Sequence, residues 1–470
     1  MVYKMVVTPY LFKEIIAIFQ NTSDYIIALE TLLLLSVMWI IFHKRDGRSF
    51  YISGDKEITV NYEPENLMDI AVPQHSFLKT HLIRSKVGKN VSVDDYYCLN
   101  LATHNYLGLL EDKQILENAC RCIRKYGVGS CGPRGFYGTM DVHLKLEERL
   151  ASFMKVEDSV VYSYGFSTIS SAIPAYSKRG DIIFVDEAVN FAIQKGLDAS
   201  RSTVYFYKHN DIADLERLLR EQAKRDDKNS KETSKSRRFI IAEGIYLNTG
   251  EICPLPELVT LRSTHKLRLF LDESVSFGTL GKTGRGVTEH FNINRAEIDL
   301  IAAAMEWTVG AIGGFCVGSH FIVEHQRLSG LGYCFSASLP PLLAESAISS
   351  LKRLDSEPQI FMELREISIL MNSKFSTFSK LKLGGNKLSP VKHLYISENR
   401  DNREVEHELL NKVCGECISR GIAIVQACYL YKIEGNPIRP SIRITANRLL
   451  TVFEIDYAFK IIEDVSNEIL

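Results

Sequence analysis

The chain has 470 residues, 46% hydrophobic and 24% charged, a size and mixture that suit one large α/β domain with a smaller companion. A net charge of −1 and the lack of a long basic stripe exclude nucleic-acid binding driven by electrostatics. Ten dispersed cysteines in so long a chain exclude a disulfide-stapled scaffold and point to reduced thiols in a cytosol-facing compartment.

The first distinct element lies near the N-terminus. Tyr25–Phe42, YIIALETLLLLSVMWIIF, carries one charge, Glu30, and as a helix would span about 27 Å, enough for a bilayer hydrocarbon core. Trp39 sits near one end, where an amphipathic ring favours the membrane interface. His43, Lys44, Arg45 and Arg48 follow, so the positive-inside bias predicts a single-pass anchor within residues 1–48 and a cytosolic main body. A buried soluble helix, or one lying in the interface, is the competing reading.

Residues 49–96 form a polar approach segment with some extended character. Tyr97–Leu101 is a strand candidate leading into His104–Gly108, and Lys113–Tyr126 has the spacing of an amphipathic helix. Val160–Tyr164, Ile182–Val185, Val204–Tyr207, Phe239–Ala242, Leu267–Leu271 and Leu300–Ala304 are short apolar runs separated by helical stretches. This alternation predicts an α/β fold over residues 97–343, with a mainly parallel sheet covered on both faces. Lys224–Arg238 has no apolar residue and is expected to be a solvated loop. Past Ala344 the helical stretches lengthen, then Ser441–Thr445 reads as a strand and a last helix starts near Val452, which predicts a small C-terminal α+β domain over 344–470. Cys414 and Cys417 form a C-x-x-C without a second pair or histidines at ligand spacing, and are expected to be ordinary helix residues.

Three stretches carry candidate chemistry. Tyr126–Thr139, YGVGSCGPRGFYGT, has five glycines and is followed by Asp141 and His143, which suits a loop at an active site or subunit interface. Phe239–Gly250 ends a strand with Glu243, and Leu269–Gly286 ends another with Asp272 and Glu273. Ligands of doubly wound sheets bind at such carboxyl ends, although a strand-end aspartate is also a common turn or cap residue. Ile301–Gly318, IAAAMEWTVGAIGGFCVG, reads as a strand end followed by a turn of small residues that carries Trp307. No lysine occurs from Thr283 through Leu351.

YGVGSCGPRGFYGT with DVHLKLEERL, YSYGF followed by AIPAYSKRGD, EGIYLNTGEICPLPELV and HQRLSGLGYCFSASLPP together resemble the α-oxoamine synthase family of fold-type I pyridoxal-phosphate enzymes. The resemblance covers most of the chain, from about Tyr97 to the C-terminus, and is closest to the non-catalytic subunit of the family's membrane-bound eukaryotic branch. It implies an aminotransferase-like large domain and a small C-terminal domain. The family's cofactor-binding lysine lies in a T-K-S-x-G-x-x-G-G run, matched here by Glu306-Trp307-Thr308-Val309-Gly310, with Trp307 at the lysine. A D-E-A-H run matches Asp272-Glu273-Ser274-Val275: the aspartate that pairs with the pyridine nitrogen is retained, and the histidine is Val275. The imidazole that stacks on the cofactor belongs to a D-x-x-x-H-A-S run, where this chain offers Asn190. Arg443 matches an arginine near the substrate carboxylate, with an ion pair inside the small domain as the alternative.

An indole cannot form the Schiff base that a lysine amine forms with pyridoxal phosphate, so the resemblance implies a chain inactive alone. It implies a heterodimer with a lysine-bearing homologue that holds the cofactor, and small activating and regulatory membrane subunits beside it. The pair would condense L-serine with palmitoyl-CoA to 3-oxosphinganine at the endoplasmic reticulum. Fold-type I active sites lie at a dimer interface, which makes Cys131, Gly132, Arg134, Ser336 and Ser338 candidates for contributions to the partner's site. No base stands beside Cys131, so it is expected to pack at the interface rather than act as a nucleophile. Two other readings stay open: a self-sufficient synthase with an atypical site, and a pure membrane scaffold.

Overall fold

The apolar runs between Asp158 and Gly318 assemble into one seven-stranded sheet in a computed structural model that describes residues 23–43, 81–228, 236–398, 402–427 and 437–470. Its strands are β3 (Asp158–Tyr162), β4 (Ile182–Asp186), β5 (Thr203–Tyr207), β6 (Arg238–Glu243), β7 (Arg268–Asp272), β8 (Leu300–Ala304) and β9 (Gly314–Gly318), after β1 (Asn90–Val93) and β2 (Tyr96–Asn100). The order across the sheet is β3-β9-β8-β7-β6-β4-β5. β4 to β8 pair in parallel, while β9 runs antiparallel to both β8 and β3. All five residues of β8 are buried, as a central strand covered on both faces requires.

Crossover helices cover this sheet. Those that matter for the site are α1 (Asp141–Met154), α2 (Gly165–Tyr176) and α3 (Phe191–Ser200). The helix over Ile212–Lys228 runs into the tract expected to be a loop: Lys224–Lys228 are helical, and Asp226 pairs with Arg238 at 2.6 Å. Charged residues with long side chains are compatible with an exposed helix, so an absence of apolar residues did not end this one. Residues 229–235 of the tract lie outside the described residues.

A second sheet, β10-β11-β14-β13, carries the C-terminal part: β10 (Leu381–Gly384), β11 (Val391–Ile396), β13 (Val425–Gln426) and β14 (Ile442–Thr445). β1 and β2 join β12 (Ile422–Ala423) in a third sheet, where β12 pairs with Leu99 and Asn100 of β2, so the segment before Tyr97 and the C-terminal part belong to one sheet. A single helix, Pro341–Ser356, runs through the expected boundary at 343/344 and packs against Lys113–Tyr126 and α1. Cys414 and Cys417 are buried on the helix Arg403–Ser419, and burial pushes the Cys417 thiol up to about 12.

Residues 1–74 form a separate unit from 75–470. In it Asp24–His43 is a helix of 20 residues whose Leu29, Leu32, Leu33, Leu34 and Leu35 are exposed. Among the described residues no helix is long and apolar enough to cross a membrane. The side chains of Tyr25 and of residues 40–42, the cations Lys44, Arg45 and Arg48, and most of the approach segment, 49–80, lie outside them.

Candidate functional site

β6 and β7 are parallel neighbours in a register that sets Glu243 beside Asp272, so two carboxylates meet at the carboxyl end of the sheet. Both are buried, with 1% and 2% exposure. Their donors come from the chain after β4, β6 and β7. Asp272 Oδ1 accepts from the Ser274 amide at 2.9 Å and the Ser274 hydroxyl at 2.5 Å. Glu243 accepts from the Asn190 amide at 2.6 Å and the Leu247 amide at 3.0 Å. Burial, and then the charge of Asp272, push the Glu243 carboxyl up to about 8, and burial raises Asp272 as well. Two buried acids side by side resist double ionisation, and the proton settles on Glu243.

Asn190 connects this pair to α3. It is the N-cap of that helix, with Oδ1 accepting from the Ile193 amide at 3.1 Å. Its Nδ2 donates to Asp272 Oδ2 at 3.0 Å. Val275 is buried in the apolar core.

Trp307 lies in the turn between β8 and β9, half-buried, stacked on His104 with ring centroids 4.6 Å apart and planes at 28°. His104 Nδ1 is 2.7 Å from the Tyr106 hydroxyl. Burial, followed by the nearby Arg443 charge, holds His104 well below the usual imidazole range, so the ring under the indole is neutral. Arg443 itself, on β14, donates to the Ala102 carbonyl at 3.1 Å. Glu306, one residue before the indole, has a buried Oε2 without a hydrogen-bond partner among the described residues, and burial raises its pKa.

Asn190, Asp272, Ser274, Glu306 and Trp307 border a cavity of about 180 Å³, with Phe166 among its other lining residues. Its chemistry does not suit pyridoxal phosphate. No lysine amine is present to hold the aldehyde, and among the described residues no lysine or arginine lines the cavity to meet a phosphate. The free oxygen of Asp272 is taken by Asn190 rather than open to a pyridinium nitrogen. No reaction step can be written through the cofactor in this cavity.

The remaining candidate residues form a second cluster. Arg134 and Glu147 are both buried and make two hydrogen bonds, at 2.8 and 3.0 Å, so the guanidinium is committed inside its own chain. Ser338 donates to the Gly132 carbonyl from its amide at 2.9 Å and its hydroxyl at 3.1 Å. Ser130 donates to the Ser338 carbonyl at 2.8 Å. The glycine-rich loop and the Phe335–Leu339 stretch are therefore one bonded unit. Cys131, Phe136, Tyr137 and Phe335 project from it, exposed, while Ser336 is half-buried. Cys131 and Tyr137 hold left-handed backbones, φ 60° and 65°.

Sequence reasoning reached Asp272, Asn190, Val275 and Trp307, but not His104, Ser274 or the role of Glu306. The signal for Glu306 was present, a carboxylate beside Trp307 in an otherwise small and apolar turn. His104 had none, since its stacking partner is two hundred residues away in sequence.

A model of the aminotransferase class I and II family matches residues 97–462. The chain is 42% identical over 371 residues to long chain base biosynthesis protein 1b of Oryza sativa subsp. japonica, covering 79% of this chain and 76% of that one. It is 38% identical over 437 residues to serine palmitoyltransferase 1 of Dictyostelium discoideum, covering 91% and 90%. Among solved structures, a serine palmitoyltransferase from S. paucimobilis superposes with a TM-score of 0.74 at 21% identity, covering 83% of this chain and 93% of that one. An 8-amino-7-oxononanoate synthase from Francisella tularensis superposes with a TM-score of 0.62 at 22% identity, covering 79% and 99%. At such identities the superpositions establish the shared fold.

Proposed function

The chain belongs to the aminotransferase class I and II family, beside the serine palmitoyltransferases 1 and long chain base biosynthesis proteins 1, and from that membership we propose that it is the non-catalytic subunit of a heteromeric serine palmitoyltransferase. The assembled enzyme condenses L-serine with palmitoyl-CoA, releasing carbon dioxide and CoA, to give 3-oxosphinganine for sphingolipid long-chain-base synthesis. A lysine-bearing homologue is the partner and holds the pyridoxal phosphate, which supplies the electron sink for decarboxylation when bound there. The carrying observation is Trp307: the turn that should present an amine presents an indole stacked on a neutral His104.

In this reading the chain contributes a rigid surface. The bonded unit of Ser130, Gly132 and Ser338 holds Cys131, Phe136 and Tyr137 outward toward the partner's pocket. The exposed leucines of Asp24–His43 favour a helix immersed in lipid, with the main body on the cytosolic face of the endoplasmic reticulum membrane. Acyl-CoA and long-chain product both partition to that surface.

Co-expression of this chain with a lysine-bearing homologue, with turnover measured for each chain alone and for the pair, tests the proposal. Activity belongs to the pair and is lost when the partner's lysine is replaced. Turnover by this chain alone would overturn it.

A further inference from the structure

Loss of lysine explains why the cavity cannot anchor the cofactor covalently; it does not explain Glu306. Gly165 opens α2, and a Cβ placed there would fall 2.4 Å from Glu306 Oε1, so the carboxyl lies against the first turn of that helix. The N-cap residue, Tyr164, provides no side-chain cap. A helix start carries open amides and partial positive charge, and it is the natural seat for an anion. Among the described residues Glu306 Oε2 is buried without a hydrogen-bond partner and no cation pairs with the carboxyl; burial raises its pKa, and backbone amides of its own turn, at Glu306 and Gly313, favour the charged form. Around it the cavity offers Asp272 and, among the described residues, no lysine or arginine. The starts of α2 and α3 both line the cavity; Asn190 caps that of α3, and the Glu306 carboxyl lies against that of α2.

We propose that Glu306 is a built-in anion that excludes phosphate-bearing ligands, pyridoxal phosphate included, from this chain's own cavity. The proposal rests on reading the chain as the non-catalytic subunit, but it adds a second barrier independent of the missing lysine. A phosphate dianion seated at α2 would stand against the Glu306 carboxylate in a buried site, where like charges repel with little screening. A lysine at position 307 is therefore insufficient to recruit the cofactor.

The test uses the assembled complex with excess pyridoxal phosphate. Borohydride reduction fixes any lysine-bound cofactor, and peptide mass spectrometry assigns the adduct to one chain or the other. Trp307→Lys alone leaves the peptide spanning position 307 nearly unlabelled. Trp307→Lys with Glu306→Thr labels it at least about tenfold more, and Trp307→Lys with Glu306→Asp stays at the level of the single variant. Equal labelling of the single variant and the Glu306→Thr double variant overturns the proposal. Should the Trp307 variants fail to assemble, Glu306→Gln tests the same point with the indole in place. Added inorganic phosphate raises the thermal midpoint of the Glu306→Gln complex more than that of the wild type, and an equal response overturns the proposal. Labelling of the wild-type chain on a lysine of its own would instead sink the non-catalytic reading, so the two failures are distinguishable.

Discussion

Asn190 donates its side-chain amide to Asp272 Oδ2 at 3.0 Å while its carbonyl oxygen caps α3. One residue therefore does two jobs: it starts a helix and satisfies a buried carboxylate in the cavity wall. The retained aspartate has become an internal structural acceptor. Its partner Glu243, one strand away, carries the proton that the pair cannot both give up.

Replacing Asn190 tests this double role. Asn190→Ala removes the cap and leaves Asp272 short of a donor, at a cost of about 2–3 kcal/mol. Asn190→Asp keeps a capping oxygen but adds a third buried carboxyl beside Glu243 and Asp272, and is the worse of the two near pH 7. Thermal midpoints of the assembled complex at neutral and mildly acidic pH rank the variants. The aspartate variant recovers toward wild type in acid and the alanine variant does not.

The Arg134–Glu147 pair, with side chains 5% and 6% exposed, is expected to be structural. Arg134→Ala leaves the buried Glu147 with only Arg327, at 3.9 Å, opposite it, and costs at most about 3–5 kcal/mol. Arg134→Met combined with Glu147→Leu recovers part of the loss. Recovery is incomplete because Glu147 also accepts from the Val161 amide at 3.1 Å. Denaturation of the two variants and the wild type measures the difference. A harmless Arg134→Ala would place the guanidinium at the interface instead.

Two glycines of the loop behave oppositely. A Cβ at Gly138 would fall 1.9 Å from the Gly132 carbonyl oxygen and 2.5 Å from that of Pro133, backbone atoms that cannot swing aside. At Gly135 nothing lies within 4 Å. Gly138→Ala displaces the unit that presents Cys131 and Tyr137 and lowers turnover of the complex, whereas Gly135→Ala leaves it near wild type. Assays of both variants with the same partner decide the point.

Glu243 sets a pH dependence whose sign follows from its shift. Its carboxyl rises from an ordinary 4.5 to about 8 in the folded protein. Between those values the unfolded chain binds fewer protons than the folded one, so stability falls as pH rises from about 4.5 to about 8. Glu243→Gln removes that decline. The midpoint of the variant relative to wild type is expected to climb across this range, and a flat difference would assign the proton to another group.

Much of the fold was legible because its signals are local. The helix Lys113–Tyr126 was expected from its spacing and has those bounds in the structure, and the apolar runs at Ile182–Val185 and Leu300–Ala304 fall on β4 and β8. β9 escaped notice, since Gly314–Gly318 is too short and small to announce a strand and is held by antiparallel pairing with β3 and β8. The charged helix end at Lys224–Lys228 escaped for the reverse reason, because polarity alone says nothing against a solvated helix.

By itself the sequence determined the class of the fold and the absence of an amine near position 307. Both follow from residue identity and short-range periodicity. Tertiary structure alone decided what replaced the chemistry. Asn190 and Asp272 are 82 residues apart, and the rings of His104 and Trp307 meet from opposite ends of the large domain. Strand register sets Glu243 against Asp272, and the packing of α2 on the sheet brings its start against Glu306. Such pairings depend on which distant elements become neighbours, and no local pattern of side chains encodes that.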